Sequence, residues 1–105
     1  MLDRLDWAYK RRGGTRGYPK IPVQPSHYWQ QNFRITFEDD PIGILTRDTI
    51  GAETLLWGSD YPHGDSVFPE SQAVLDRIMA DCTPQERYAM TARNVVELYD
   101  LPFEA

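Results

Sequence analysis

A single cysteine, Cys82, stands in 105 residues, so no internal disulfide can brace this chain. No run of about 18 apolar residues occurs, which leaves nothing to span a membrane as a helix. The opening residues Met1-Leu2-Asp3-Arg4 lack the charged and then apolar regions of a secretory signal, and a cytoplasmic location is the expectation. There is no repeat and no low-complexity segment. What remains is the composition of one small globular domain, with 41% hydrophobic residues.

Charge is divided unevenly. Residues 1–25 carry six Lys or Arg against two acids, a balance of +4, and residues 26–105 carry five against fourteen, a balance of −9, which sum to the net −5. Lys10, Arg11, Arg12, Arg16 and Lys20 stand among Trp7, Tyr9 and Tyr18 without a nucleic-acid-binding motif. They read as a solvated helix end, where cations complement the helix dipole, and no nucleic-acid partner is expected.

Leu2, Leu5 and Tyr9 recur at near-helical spacing, with Gly13-Gly14 supplying the left-handed residue that ends the helix. Thr15 to Pro25 holds Gly17, Pro19, Pro22 and Pro25 and reads as an extended connector. Ser26 is placed to cap one or two helical turns through Gln31. His27 lies there with no second ligand at i+3 or i+4 and is not read as a metal ligand. Phe33 to Phe37 alternates apolar with polar and reads as a strand.

Asp40 before Pro41 is a helix start, and the helix should turn Ile42, Leu45 and either Thr49 or Ile50 inward and end near Gly51. Leu55-Leu56-Trp57 then runs as a short apolar strand of the kind covered on both faces. Strand, helix and strand within about 25 residues make a βαβ unit with parallel strands. A further helix is expected over 70–81, with Val74, Leu75 and Ile78 on its apolar side. Thr83-Pro84-Gln85-Glu86 is a capping box opening the last helix, whose apolar side should hold Tyr88, Val95 and Leu98 with Asn94 as an internal cap. Cys82 reads as a small buried or half-buried residue, with no base near it in sequence to make it a nucleophile.

The second strand delivers Asp60 to a point where the chain must turn away, since Gly58 permits close backbone approach and Pro62 halts the strand. The same Asp-Tyr-Pro is also good turn chemistry, and spacing alone leaves both readings open. The string Leu56-Trp57-Gly58-Ser59-Asp60-Tyr61-Pro62-His63, with Ser66 and Pro69-Glu70-Ser71, resembles the eighth strand and following loop of the amidohydrolase-related family, also called amidohydrolase 2. That group includes aminocarboxymuconate semialdehyde decarboxylase and many metal-dependent hydrolases. Pro25-Ser26-His27-Tyr28-Trp29 with Phe33 to Asp40 is similar to its seventh-strand segment, and Ala92 to Leu101 is similar to its closing helix.

The resemblance implies an α/β fold: residues 1–105 as the C-terminal βαβα portion, the seventh and eighth strand units, of a (β/α)8 barrel. It implies a divalent metal, zinc by preference, held by histidines of earlier strands and by an aspartate at the end of the eighth. Asp60 holds that aspartate's position, as metal ligand and acid/base residue. His63, three residues on, would stand near the substrate or simply at the surface. The chemistry implied is hydrolysis or non-oxidative decarboxylation of a small molecule. The chain owns only His27 and His63 and lacks the strands that carry the other ligands, so alone it is expected to have no catalytic centre. Two strands cannot close a barrel, and Phe33, Ile35 and Leu56 should meet water on its inner face. A complementing barrel polypeptide or a homo-oligomer is expected. The alternative is a non-catalytic interaction or assembly module built on the same scaffold, although such a module has no physical reason to retain Gly58-Ser59-Asp60-Tyr61-Pro62.

Overall fold

The computed structural model describes residues 1–15, 17 and 20–103. Arg16, Tyr18 and Pro19, part of the basic stretch and of the connector, lie outside the described residues. The chain forms two compact units, Met1–Phe33 and Arg34–Ala105.

The first unit holds two helices. Helix α1 (Leu2–Arg12) carries Lys10, Arg11 and Arg12 in its last turn, the solvated end that the charge pattern predicts. Two guanidinium groups, those of Arg4 and Arg11, lie 4.1 and 5.3 Å from the Trp7 ring centroid, so the basic residues are spent on an aromatic of their own helix. Gly14, at φ 83°, supplies the left-handed turn beyond it. Helix α2 (Pro25–Asn32) begins one residue before the expected cap: Gln24 is the N-cap, Pro25 sits at the first turn, and Ser26 lies inside the helix. The Ser26 amide instead donates to Asp6 Oδ1 at 2.9 Å, tying α2 to α1, and the Ser26 hydroxyl, with that amide, holds the Asp6 carboxyl below its usual range.

The second unit is built on a parallel pair. Strands β1 (Ile35–Phe37) and β2 (Leu55–Trp57) pair with Ile35 opposite Leu55, Thr36 opposite Leu56 and Phe37 opposite Trp57. The first strand is shorter than its alternating pattern, because the Phe33 amide donates to the Trp29 carbonyl at 3.0 Å and closes α2. Its ring stacks on Trp29 at 4.8 Å, which gives that apolar side chain a local partner. Phe33 and Ile35 are exposed, but the register puts Ile35 on the face of Leu55 and not, as expected, on that of Leu56, which is buried at 5%. Leu55 on the opposite face is at 1%, so this continuous apolar run is a strand covered on both sides.

Between the strands, Asp40 caps α3 (Pro41–Leu45) by accepting from the Gly43 amide at 2.8 Å. The expected single helix breaks at Thr46, and α4 (Arg47–Ile50) follows, ending at Gly51 with φ 93°. The inward face also differs. Ile42 and Leu45 are 66% and 68% exposed, whereas Ile44 is buried. The break explains the phase: the Thr46 amide reaches both the Ile42 and Gly43 carbonyls, a tightening toward three residues per turn. That pitch aligns Ile44, Arg47 and Ile50 on one side. Arg47 thereby reaches Glu86 at 2.9 Å and the Asp81 carbonyl at 3.2 Å, pinning α4 to the start of the last helix.

A 3-10 turn, Ala52–Thr54, leads into β2. Helix α5 (Ser71–Ile78) packs Leu75 and Ile78, with Met79, against Phe37, Ile44 and Leu55. The capping box forms as expected on α6 (Pro84–Tyr88), both reciprocal bonds between Thr83 and Glu86 being present. The helix continues through a π-turn, Ala89–Arg93, into α7 (Asn94–Tyr99), and ends at Asp100 in the left-handed conformation. The extra residue in the π-turn rotates everything after it away from a 3.6-residue extrapolation. Past it Leu98 is exposed and Asn94 points inward; before it Tyr88, the last residue of α6, is exposed, and Ala89 and Met90 at its start are buried.

Asn94 is not a cap. It is 4% exposed and its amide nitrogen donates to the Ala52 and Leu55 carbonyls at 2.8 and 2.9 Å, clamping the entry of β2 to the last helix. Cys82 is half-buried beside the core, and burial raises its thiol pKa, which suits a packing residue and not a nucleophile. No helix among the described residues is long and apolar enough to cross a membrane.

Replacing Asn94 with Ala removes both bonds: the buried contact to the Leu55 carbonyl is lost, and the Ala52 carbonyl keeps only the Leu55 amide as donor. The expected loss is about 2–3 kcal/mol in the urea-unfolding free energy. Asn94→Asp should cost more, because a carboxylate there faces two carbonyl oxygens.

Candidate functional site

Parallel pairing brings both strand ends out on one side. The ladder runs one step further, with the Gly58 amide donating to the Phe37 carbonyl at 3.0 Å, which sets Glu38 beside Gly58. Beyond this point the strands part. Thr36, Phe37, Glu38, Gly58 and Asp60 line an open hollow of about 480 Å³ at the carboxyl ends of β1 and β2. A Cβ on Gly58 would meet nothing within 4 Å, so this glycine is not there to allow a close approach, as the sequence suggested. Its bare backbone forms part of the wall.

The acidic run after β1 divides its labour. Asp40 caps α3, Asp39 pairs with Arg77 of α5 at 2.5 Å, and Glu38 lines the hollow. The sequence pattern singled out only Asp40, as a helix start, and missed Glu38 as a site residue. The available signal was positional, since Glu38 stands one residue past the carboxyl end of β1, as Asp60 stands three residues past that of β2.

Asp60 stands at φ 57°, the left-handed region that Asp tolerates better than most residues. His63 closes the turn that follows: its amide donates to the Asp60 carbonyl at 2.9 Å, and its Nδ1 lies 2.7 Å from Asp60 Oδ2. The two residues that the sequence singled out are thus in direct contact. Both are open to solvent, with 46% of the Asp60 side chain and 72% of the His63 side chain exposed. The hydrogen bond to Asp60 raises the His63 pKa above its ordinary value of 6.5, with smaller contributions from the charges of Asp65 and Glu38. His27 lies exposed on α2 with its ring edge-to-face with Tyr28.

The loop beyond is closed by its own polar groups. Ser66 Oγ donates to the Ser59 carbonyl at 2.6 Å, and the Val67 amide donates to the same carbonyl at 3.1 Å. Tyr61 and Phe68 meet edge to face, with centroids 5.0 Å apart, and both are exposed.

Among the described residues no group of three or more His, Cys, Asp or Glu is placed to hold a metal ion. Asp60 and His63 offer donor types that zinc accepts, but a catalytic zinc takes three protein ligands. The donors gathered here do not fit a resident divalent metal on their own.

Over residues 6–101 the chain matches a family model described as Amidohydrolase. A comparison with curated proteins gave no match.

The Asp60–His63 contact has a definite titration signature. His63 should titrate above 6.5 by NMR, and in Asp60→Asn its pKa should fall toward the ordinary value. Because the folded-state pKa is the higher one, the pair's contribution is fully present below the unfolded value of 6.5. It is lost as pH rises through the folded value. Wild-type stability should therefore decline relative to Asp60→Asn across that window.

Proposed function

The chain belongs to the amidohydrolase family, and on that premise we propose that it is the C-terminal portion of a metal-dependent hydrolase or non-oxidative decarboxylase with a (β/α)8 barrel. In this reading β1 and β2 are the seventh and eighth barrel strands. Asp60 is the eighth-strand metal-binding and acid/base aspartate, and the small-molecule substrate enters over the hollow beside Glu38. The observation that carries the proposal is the emergence of two carboxylates, one from each strand, into one hollow at the carboxyl ends of a parallel pair. That end of a parallel sheet is where loops converge and where barrel enzymes place their reacting groups.

The divalent metal of this reading, zinc by preference, would be shared between Asp60 and histidines that this chain does not supply. A bound metal supplies Lewis acidity and an activated water. The chain's own residues have simpler tasks. Asp60 offers a carboxylate oxygen as ligand or proton acceptor, Glu38 adds negative charge beside it, and the bare backbone of Gly58 leaves room for a ligand.

A second reading has its own support. Ile42 and Leu45 project from α3 at 66% and 68% exposure, and a two-stranded sheet presents an unpaired edge on either side. A non-catalytic assembly module would use such surfaces to bind a second copy. A complementing barrel polypeptide would use the same edges, so both readings foresee association, and metal separates them.

The deciding measurement is metal content by elemental analysis, for the purified chain and for its complex with a polypeptide that supplies histidine-bearing strands. We expect no stoichiometric metal in the chain alone, one metal per complex, and loss of that metal in Asp60→Ala. Stoichiometric metal in the chain alone, abolished by Asp60→Ala, would mean that it builds a complete site without a partner. A complex that keeps its full metal content in Asp60→Ala would remove Asp60 from the ligand set and favour the assembly reading.

A further inference from the structure

We infer that His63 is a positioning residue: it grips Asp60 by the carbonyl oxygen and by Oδ2 together, and so presents Oδ1 as the one carboxylate oxygen left for a ligand in the hollow. The functional meaning of this inference rests on the reading of the hollow as the site.

The backbone supplies the first argument. A non-glycine residue at φ 57° sits in a conformation costing roughly 1 kcal/mol, less for Asp than for bulkier residues, and must be held by its surroundings. The holding contact is the His63 amide on the Asp60 carbonyl at 2.9 Å. The same residue then turns its ring back, so that Nδ1 meets Oδ2 at 2.7 Å, within the range of a charge-assisted bond.

The second argument concerns what anchors His63. Its carbonyl accepts from the Ser66 amide at 3.2 Å, and Ser66 is itself bonded through Oγ to the Ser59 carbonyl at 2.6 Å. His63 thus stands between two fixed points, one on either side of the loop. An exposed pair of flexible side chains contributes little, because ordering both cancels the attraction. Here the turn has already ordered the histidine backbone, so less freedom is lost when the ring engages.

The third argument is an accounting of lone pairs. Among the described residues Oδ2 is taken by His63 and Oδ1 receives no hydrogen bond. The carboxylate therefore has one committed and one available oxygen, and a ligand in the hollow would be met through a single oxygen in a fixed direction. Holding a reacting group in one orientation before the ligand arrives is how a supporting residue contributes to a site.

NMR of the 105-residue chain tests this without metal, substrate or turnover, so its failure is separate from failure of the hydrolase reading. In the wild-type chain, at a pH where the ring is neutral, long-range proton–nitrogen correlations should show His63 with its hydrogen on Nδ1. Asp60 should show the couplings of a single χ1 rotamer. In His63→Ala those couplings should collapse to rotamer-averaged values, while amide shifts in β1, β2 and α5 stay in place. His63→Asn should restore them, since its amide nitrogen stands the same number of bonds from the backbone as Nδ1. A wild-type His63 carrying its hydrogen on Nε2, an Asp60 already averaged in the wild type, or couplings unchanged in His63→Ala would each overturn the inference. The wild-type tautomer alone decides the matter if His63→Ala does not fold.

Discussion

Parallel pairing of β1 with β2 is the constraint on which the second unit depends. Two parallel strands cannot be joined by a hairpin, so the chain between them must cross over and return to the starting edge. The broken helix α3–α4 makes that crossing, and its phase is set at both ends, by the Asp40 cap and by the Arg47 contacts with Glu86 and the Asp81 carbonyl. Each strand has only three residues, too few for a ladder to be stable on its own. Side chains from α5 and the last helix complete the core over one face of the pair, and Asn94 fixes the last helix to the entry of β2 through two carbonyls.

The same constraint orders the chemistry. In a parallel pair both strands leave in one direction, so the residues just past their ends become neighbours although more than twenty positions separate them. Glu38 and Asp60 share a hollow for that reason and not through any local motif. The structural duties of the adjacent acids sharpen the picture, because Asp39 and Asp40 each have a partner that explains them, whereas Glu38 faces the opening. Structure and chemistry are thus separated along three consecutive residues.

Membership in the amidohydrolase family gives this arrangement a context, and the donors on the chain mark its limit. What the structure adds is the internal organisation of the strand-end aspartate and the histidine in contact with it. The turn after β2 commits one oxygen of Asp60 to His63 and leaves the other without a partner among the described residues, so the carboxylate has a direction before any ligand arrives.

Much of this was legible from the sequence where the signal is local. The capping box at Thr83, the cap at Asp40 with Pro41 behind it, the two short strands and the turn that holds Asp60 all rest on chemistry within a few residues. Side-chain facing was not legible wherever the helix departs from 3.6 residues per turn. The tightening at Thr46 put Ile44 inward in place of Ile42 and Leu45, and the π-turn at Ala89–Arg93 turned Asn94 into a buried clamp and left Leu98 outside. Those departures are decided by what the helix packs against, which no short window of sequence contains. The meeting of Glu38 with Asp60 belongs to the same class, since only strand register brings them together. The sequence by itself determined which elements form and where the aspartate emerges; tertiary packing decided which faces are buried and which carboxylates meet, because both depend on contacts between residues far apart in the chain.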